Sequence, residues 1–205
     1  MKNPERRVGG YDELAPGAVQ QPFVVAFVCT GNRVRSAVAA EVLRLLGGAD
    51  FHVSSYGTLD LGAIPALPQA VEAAARHGVD LSGHLTTPLA SADLVSTDLV
   101  LGFERFHVSA AIVDAGAVRA RTFTLPELVE LLRELDSEPQ VGHGNDVRSR
   151  AAAVVARAAA ARDERGRPAR IPELPDPFGG RRSAYERSVE NIVELCHELV
   201  AHLLG

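Results

Sequence analysis

The chain has 205 residues, 46% hydrophobic and 23% charged, with a formal net charge of −5 and two cysteines. That length suits one domain with its own core, and the acidic balance excludes a general nucleic-acid binder. Cys29 and Cys196 lie too far apart to make a disulfide framework, and no apolar run reaches signal-peptide or membrane-span length, so a cytoplasmic, reducing location is expected.

Residues 1–22 are polar and carry Pro4, Gly9, Gly10, Pro16 and Pro22, which reads as a flexible arm ahead of a domain over 23–204. Phe23–Cys29 is a near-continuous apolar run, the signature of a parallel strand covered on both faces. A helical segment, Ala37–Leu46, follows. Phe51–Ser55 is a second, shorter strand. Leu67–His77 has helical spacing, with Leu67, Ala70, Val71 and Ala74 on one face, and stops at Gly78. Asp98–Phe103 predicts a third strand, followed by a helix from about Glu104 to Val113. Ala120–Phe123 predicts a short fourth strand before a helix over Leu125–Leu135.

Within 136–170 an Ala-rich stretch, about Asp146–Arg165, is helical. It is rich in arginine: Arg148, Arg150, Arg157, Arg162, Arg165, Arg167 and Arg170 stand against Asp163 and Glu164. The favoured reading is a solvated amphipathic helix over the sheet edge; the competing one is a docking surface for an acidic or phosphorylated partner. The last helix, Ala184–Leu204, places Tyr185, Val189, Ile192, Val193, Cys196, Leu199, Val200 and Leu203 at helical spacing. Strands alternating with helices predict an α/β single domain, a parallel sheet with helices on both faces. In such sheets ligands sit at the carboxyl ends of the strands, where Cys29 falls.

The joint between the first strand and helix reads Cys29-Thr30-Gly31-Asn32-Arg33-Val34-Arg35-Ser36. Backbone N–H groups of such a turn and of the first helical turn converge on one point, and the helix dipole adds positive potential there. A cysteine at that focus is expected to be an ionised nucleophile, and Arg35 can fork onto two oxygens of a bound phosphate. The competing reading of Cys29 is a buried, inert thiol at a strand end. Hydrolysis of a phosphomonoester through cysteine also needs an acid for the leaving oxygen. Asp176, stiffened by Pro175 and Pro177, is the candidate, against the reading of a plain Asp-Pro turn.

These residues, with Asp176-Pro177-Phe178, resemble the low-molecular-weight protein tyrosine phosphatase family. Three further stretches match it: Ser54-Ser55-Tyr56-Gly57-Thr58, Arg76-His77-Gly78-Val79-Asp80-Leu81-Ser82-Gly83-His84, and Leu99-Val100-Leu101-Gly102-Phe103-Glu104. The resemblance implies a four-stranded, flavodoxin-like sheet of order 2-1-3-4. It implies that Cys29 attacks phosphorus and that Arg35 holds the equatorial oxygens, helped by the N–H groups of Thr30, Gly31, Asn32, Arg33, Val34 and Ser36. Ser36 would hydrogen-bond the sulfur. Asp176 would protonate the leaving oxygen and then activate water. Asn32, Ser36, Ser55 and His84 would form a supporting polar network, and Phe178 one wall for an aryl group.

No metal or cofactor is implied. The partner implied is a phosphotyrosine-containing protein, or a small aryl or sugar phosphate, with no nucleic acid and no membrane; oligomeric state is left open. The family's frequent second cysteine is Val34 here, and the loop Leu59–Pro65 lacks the aromatic residue many relatives place there. That gap keeps a phosphatase for a small phosphorylated metabolite, such as a phosphosugar, as the rival reading. An arsenate reductase on this scaffold is disfavoured, because Ala63–Phe103 holds no cysteine for a relay. A phosphate-binding regulator without turnover would need neither Cys29 nor Asp176. A metal hydrolase is disfavoured because no histidines are spaced as in a zinc helix motif.

Overall fold

The structure is a computed structural model that describes residues 21–135, 146–166 and 170–205. The expected arm over 1–22 therefore lies, up to residue 20, outside the described residues, as do 136–145 and 167–169 of the 136–170 region. In chain order the elements are β1 (Phe23–Cys29), α1 (Arg35–Gly47), β2 (Phe51–Gly57), α2 (Pro68–Ala75), β3 (Leu99–Gly102), α3 (Arg105–Ala115), β4 (Thr122–Thr124), α4 (Leu125–Leu135), α5 (Val147–Glu164) and α6 (Arg182–Leu204).

The four strands form one parallel sheet in the order β2-β1-β3-β4, as expected. β1 is central and buried nearly throughout. Its alternate residues feed two layers. Phe23, Val25, Phe27 and Cys29 join a large apolar cluster with α1, α2, α4, α5 and α6. Ala26 and Val28 face a smaller cluster built on Ala110, Ala111 and Ala115 of α3. The alternation of side chains along a strand thus assigns Cys29 to the α1 side of the sheet.

Boundaries moved where local chemistry outweighed periodicity. The expected helix Leu67–His77 begins instead at Pro68, and Leu67 is extended at φ −66°, ψ 138°. Proline suits the first helical position but drives the preceding residue out of the helical region. The expected strand Ala120–Phe123 is replaced at its start by a 3₁₀ turn over Arg119–Arg121. Arg162 of α5 donates to the carbonyls of Arg119 (2.9 Å) and Thr122 (2.8 Å) there, with its guanidinium 4.1 Å from the centre of the Phe123 ring. α4 opens on a capping box in which Thr124 Oγ1 accepts from Glu127 N and Glu127 accepts from Thr124 N, both at 3.2 Å.

The arginine-rich helix is part of the packing. Ala151, Val155 and Ala158 are buried, Arg148 pairs with Asp98 at 3.0 Å, and Arg165 pairs with Glu134. With Arg162, three of its arginines face the body of the protein, which supports the sheet-covering reading over a docking surface.

Candidate active site

The turn after β1 is held in a conformation that few residues accept. Asn32 has φ 50°, the one non-glycine residue in the left-handed region among the described residues. Asparagine tolerates that region better than most side chains, and here its own side chain stabilises it. Asn32 Nδ2 donates to Ser36 Oγ and Ser55 Oγ, each at 2.9 Å, and Asn32 Oδ1 accepts from Thr87 N at 2.8 Å. His84 Nε2 donates to the Asn32 carbonyl at 2.6 Å; burial holds that imidazole's pKa below its ordinary value. The expected set Asn32, Ser36, Ser55 and His84 is therefore assembled as one network, with Thr87 added. A backbone so fully specified keeps a strained shape.

β2 runs two residues beyond its expected end because the ladder continues to the Cys29–Gly57 pair. Beyond it, Thr58 N donates to the Cys29 carbonyl and Leu59 N to the Thr30 carbonyl, both at 2.9 Å. Gly57 permits this closeness: a Cβ there would lie 3.1 Å from Asn32 Cβ, Asn32 N and Gly31 C.

Inside the turn, Cys29 Sγ accepts from Asn32 N at 3.2 Å and lies 3.0 Å from Ser36 Oγ. The Ser36 hydroxyl takes a hydrogen from Asn32 Nδ2, so its own hydrogen faces two acceptors, the Cys29 sulfur at 3.0 Å and the Tyr56 carbonyl at 3.3 Å. The opening amides of α1 have no carbonyl one turn earlier to bond, which leaves them for an anion. Cys196, the second free cysteine, is fully buried on α6, and burial alone pushes its pKa far up.

Arg35 is fully buried. Its Nη1 donates to Glu104 Oε1 (2.8 Å) and to the Leu174 carbonyl (3.0 Å); its Nη2 donates to Asp176 Oδ2 (2.6 Å) and Thr30 Oγ1 (3.3 Å). Its Nε has no partner. Phe103 backs the guanidinium at 5.8 Å. A buried cation needs such partners, and two carboxylates supply them.

Asp176, 141 positions from Arg35 in the chain, is brought here by a pinned approach segment. Thr124 Oγ1 donates to the Pro172 carbonyl (2.7 Å), Arg105 N to Glu173 (2.8 Å), and Leu174 N to the Phe103 carbonyl (2.7 Å). Asp176 Oδ1 also accepts from Phe178 N at 3.1 Å.

Cys29, Thr30, Gly31, Arg33, Val34, Arg35, Asp176 and Phe178 all line one cavity of about 280 Å³. Its remaining walls are Leu59, Leu61, Ile64 and Leu67. Phe178 is 70% exposed at the rim. The side chain of Arg33 reaches across to the Pro65 carbonyl (2.9 Å). The cavity is thus charged at its floor and aliphatic along its sides, with one cation and one aromatic ring at the mouth. Among the described residues, no group of three or more His, Cys, Asp or Glu side chains converges as metal ligands would. No helix among them is long and apolar enough to cross a membrane.

Two contributors escaped sequence reading. Sequence patterning gives neither Glu104 nor His107 a role in the site. His107 is fully buried, its Nε2 is 3.0 Å from Thr30 Oγ1, and its Nδ1 accepts from Glu104 N at 3.1 Å. Burial first, and the Arg35 charge second, bring its pKa down to about 4. The available signal was positional. β3 lies beside β1, so the residues following its carboxyl end, including Glu104-x-x-His107, must stand next to Cys29.

The sequence profile described as "Low molecular weight phosphotyrosine protein phosphatase" matches residues 24–146. The low molecular weight protein-tyrosine-phosphatase Etp of Escherichia coli (strain K12) is 35% identical over 107 residues, 52% of this chain and 71% of that protein. The protein-arginine-phosphatase of Bacillus subtilis (strain 168) is 27% identical over 182 residues, 87% of this chain and 95% of that protein. The crystal structure of a YwlE mutant from Bacillus subtilis superposes with a TM-score of 0.62 at 27% identity, covering 89% of this chain and 99% of that one. With the profile spanning more than half the sequence, this chain belongs to the low molecular weight phosphotyrosine protein phosphatase family.

Proposed function

We propose that this protein is a cytoplasmic phosphomonoester hydrolase acting through a cysteinyl-phosphate at Cys29, with phosphotyrosine in proteins as its substrate. One observation carries the reading: Cys29, Arg35 and Asp176 line a single aliphatic-walled cavity. The phosphoryl group enters the turn with its equatorial oxygens on the N–H groups of Thr30 to Ser36 and on the Arg35 guanidinium, whose Nε is otherwise unpartnered. Cys29 Sγ attacks phosphorus opposite the ester oxygen. The S–P bond forms as the P–O bond breaks, and Asp176 gives its proton to the departing phenolate. Water then attacks the cysteinyl-phosphate, Asp176 takes the water's proton, and the S–P bond breaks to return the thiolate. Ser36 O–H steadies the sulfur in both steps. The arriving phosphoryl group takes the place of Asp176 on Arg35 Nη2, which frees that carboxyl to face the departing oxygen.

The slot suits a phenyl ring despite having no aromatic residue in its loop, since apolar area is buried as well against leucine as against tyrosine. A phosphoarginine substrate is the second reading, favoured by the protein-arginine-phosphatase matching 87% of the chain. Against it stand four aliphatic walls and the Arg33 cation at the rim, which would repel a substrate guanidinium. Turnover on phosphotyrosyl peptides, phosphoarginyl peptides and sugar phosphates decides between them. The phosphotyrosyl peptide should lead by at least about tenfold in kcat/KM, and a lead for either other class overturns the assignment. Cys29→Ser should abolish turnover while still binding inorganic phosphate; activity near wild type would remove the covalent mechanism.

A further inference from the structure

The hydrogen bonds around His107 settle where its proton sits. An amide N–H can only donate, and His107 Nδ1 faces two of them, Glu104 N at 3.1 Å and Phe103 N at 3.4 Å. Nδ1 must therefore offer a lone pair, which leaves the ring neutral with its hydrogen on Nε2. Gly102 makes this approach possible, because a Cβ at that position would stand 2.9 Å from His107 Cβ.

Nε2–H points at Thr30 Oγ1, 3.0 Å away, and so donates to it. Arg35 Nη2 donates to the same oxygen at 3.3 Å. A hydroxyl oxygen has two lone pairs and one hydrogen. With both lone pairs engaged, the Thr30 hydroxyl can act only as a donor, and Thr30 lines the cavity beside Cys29 and Asp176.

We propose that His107 is a positioning residue that fixes the Thr30 hydroxyl as an obligate donor to the phosphoryl oxygens, adding one side-chain donor to the ring of backbone amides. This rests on the phosphatase reading above. A residue needed only to cap α3 could be a carboxylate. A carboxylate at 107 would accept from Glu104 N but could give nothing to Thr30. Glutamine can do both, accepting at its amide oxygen and donating from its nitrogen, and so it is the conservative replacement.

The test uses the full chain with an aryl phosphate and reads kcat and KM separately. Thr30→Val and His107→Met should each lower kcat by roughly 10- to 100-fold, below the largest losses seen when an oxyanion donor is removed. Thr30→Ser and His107→Gln should stay within about threefold of wild type. The double variant Thr30→Val/His107→Met should be no worse than Thr30→Val alone, because the two act as one unit. A Thr30→Val enzyme within threefold of wild type overturns the inference, as does a double-variant loss equal to the product of the single losses.

Nitrogen-15 spectra of the wild-type histidines give a readout independent of turnover and of variant folding. His107 should show a hydrogen-bearing Nε2 and a bare Nδ1 at pH 7; hydrogen on Nδ1 overturns the inference. Should the wild type hydrolyse no phosphate ester, the phosphatase reading fails by itself. The donor role is then judged by inorganic phosphate affinity, which Thr30→Val must weaken about fivefold to sustain it.

Discussion

Asp176 lies on Arg35, and a phosphoryl group needs the same guanidinium. Replacing Asp176 with Asn should therefore separate two effects. The first is on binding. If an anion in the turn stands about 5 Å from the Asp176 carboxylate at an effective dielectric of about 40, their repulsion is roughly 1.7 kcal/mol per pair of unit charges. That value is chosen between bulk water and the protein interior because Asp176 is 34% exposed while Arg35 is fully buried. Removing the charge should tighten inorganic phosphate binding by roughly 15-fold. The second effect is on chemistry. Without a proton to give, the variant should lose about 10²- to 10³-fold in kcat on phenyl phosphate, whose leaving group is poor, and less than about tenfold on nitrophenyl phosphate, whose leaving group departs unaided. Isothermal titration with phosphate and steady-state turnover on the two esters measure both. Equal losses on the two esters, or weaker phosphate binding, would refute the assignment and make Asp176 a structural partner of Arg35.

Three further outcomes are expected. Glu104→Ala leaves the buried Arg35 with one carboxylate instead of two, and should cost roughly 3 kcal/mol, the low end for a broken buried pair; urea unfolding checks this, and a change under about 1 kcal/mol would show that Asp176 suffices. The His107 pKa is held down to about 4 by burial and by Arg35, with Asp176 and Glu173 opposing, whereas the unfolded chain takes that proton near the ordinary value of about 6.5. The unfolded state thus binds more protons between those limits, so His107's contribution is complete above about pH 6.5 and falls by on the order of 3 kcal/mol as the pH drops toward 4; unfolding at pH 7.5 and 4.5 should show a smaller pH loss for His107→Gln, and equal losses would contradict the burial argument. Gly57→Ala should destabilise by about 1–3 kcal/mol through overpacking against the turn at Asn32 and should weaken phosphate binding with it; an unchanged melting temperature would mean that the two backbones can part at no cost.

Much of the fold follows from patterns with a single physical solution. A run such as Phe23–Cys29 can be buried on both faces only in the middle of a parallel sheet. The spacing through Ala184–Leu204 admits one buried helical face, and Gly78 punctuates the chain by backbone constraint alone. The motif at 29–36 was likewise legible, because a strand, a Gly-Asn turn and a helix start make an anion cradle whatever surrounds them.

What the sequence by itself determined was the local chemistry: a thiol at a strand end, a guanidinium on the following helical turn, and an aspartate in a stiff segment far along the chain. Only the tertiary structure decided which groups meet that guanidinium. Glu104, His107 and the Leu174 carbonyl reach Arg35 or Thr30 because β3 pairs with β1 and because the 172–174 segment is tied to β4 and α3. The Leu67 side chain became a cavity wall because Pro68 took the helix start. Those contacts join positions dozens of residues apart, and a short-range pattern holds no information about the partner that a neighbouring strand delivers.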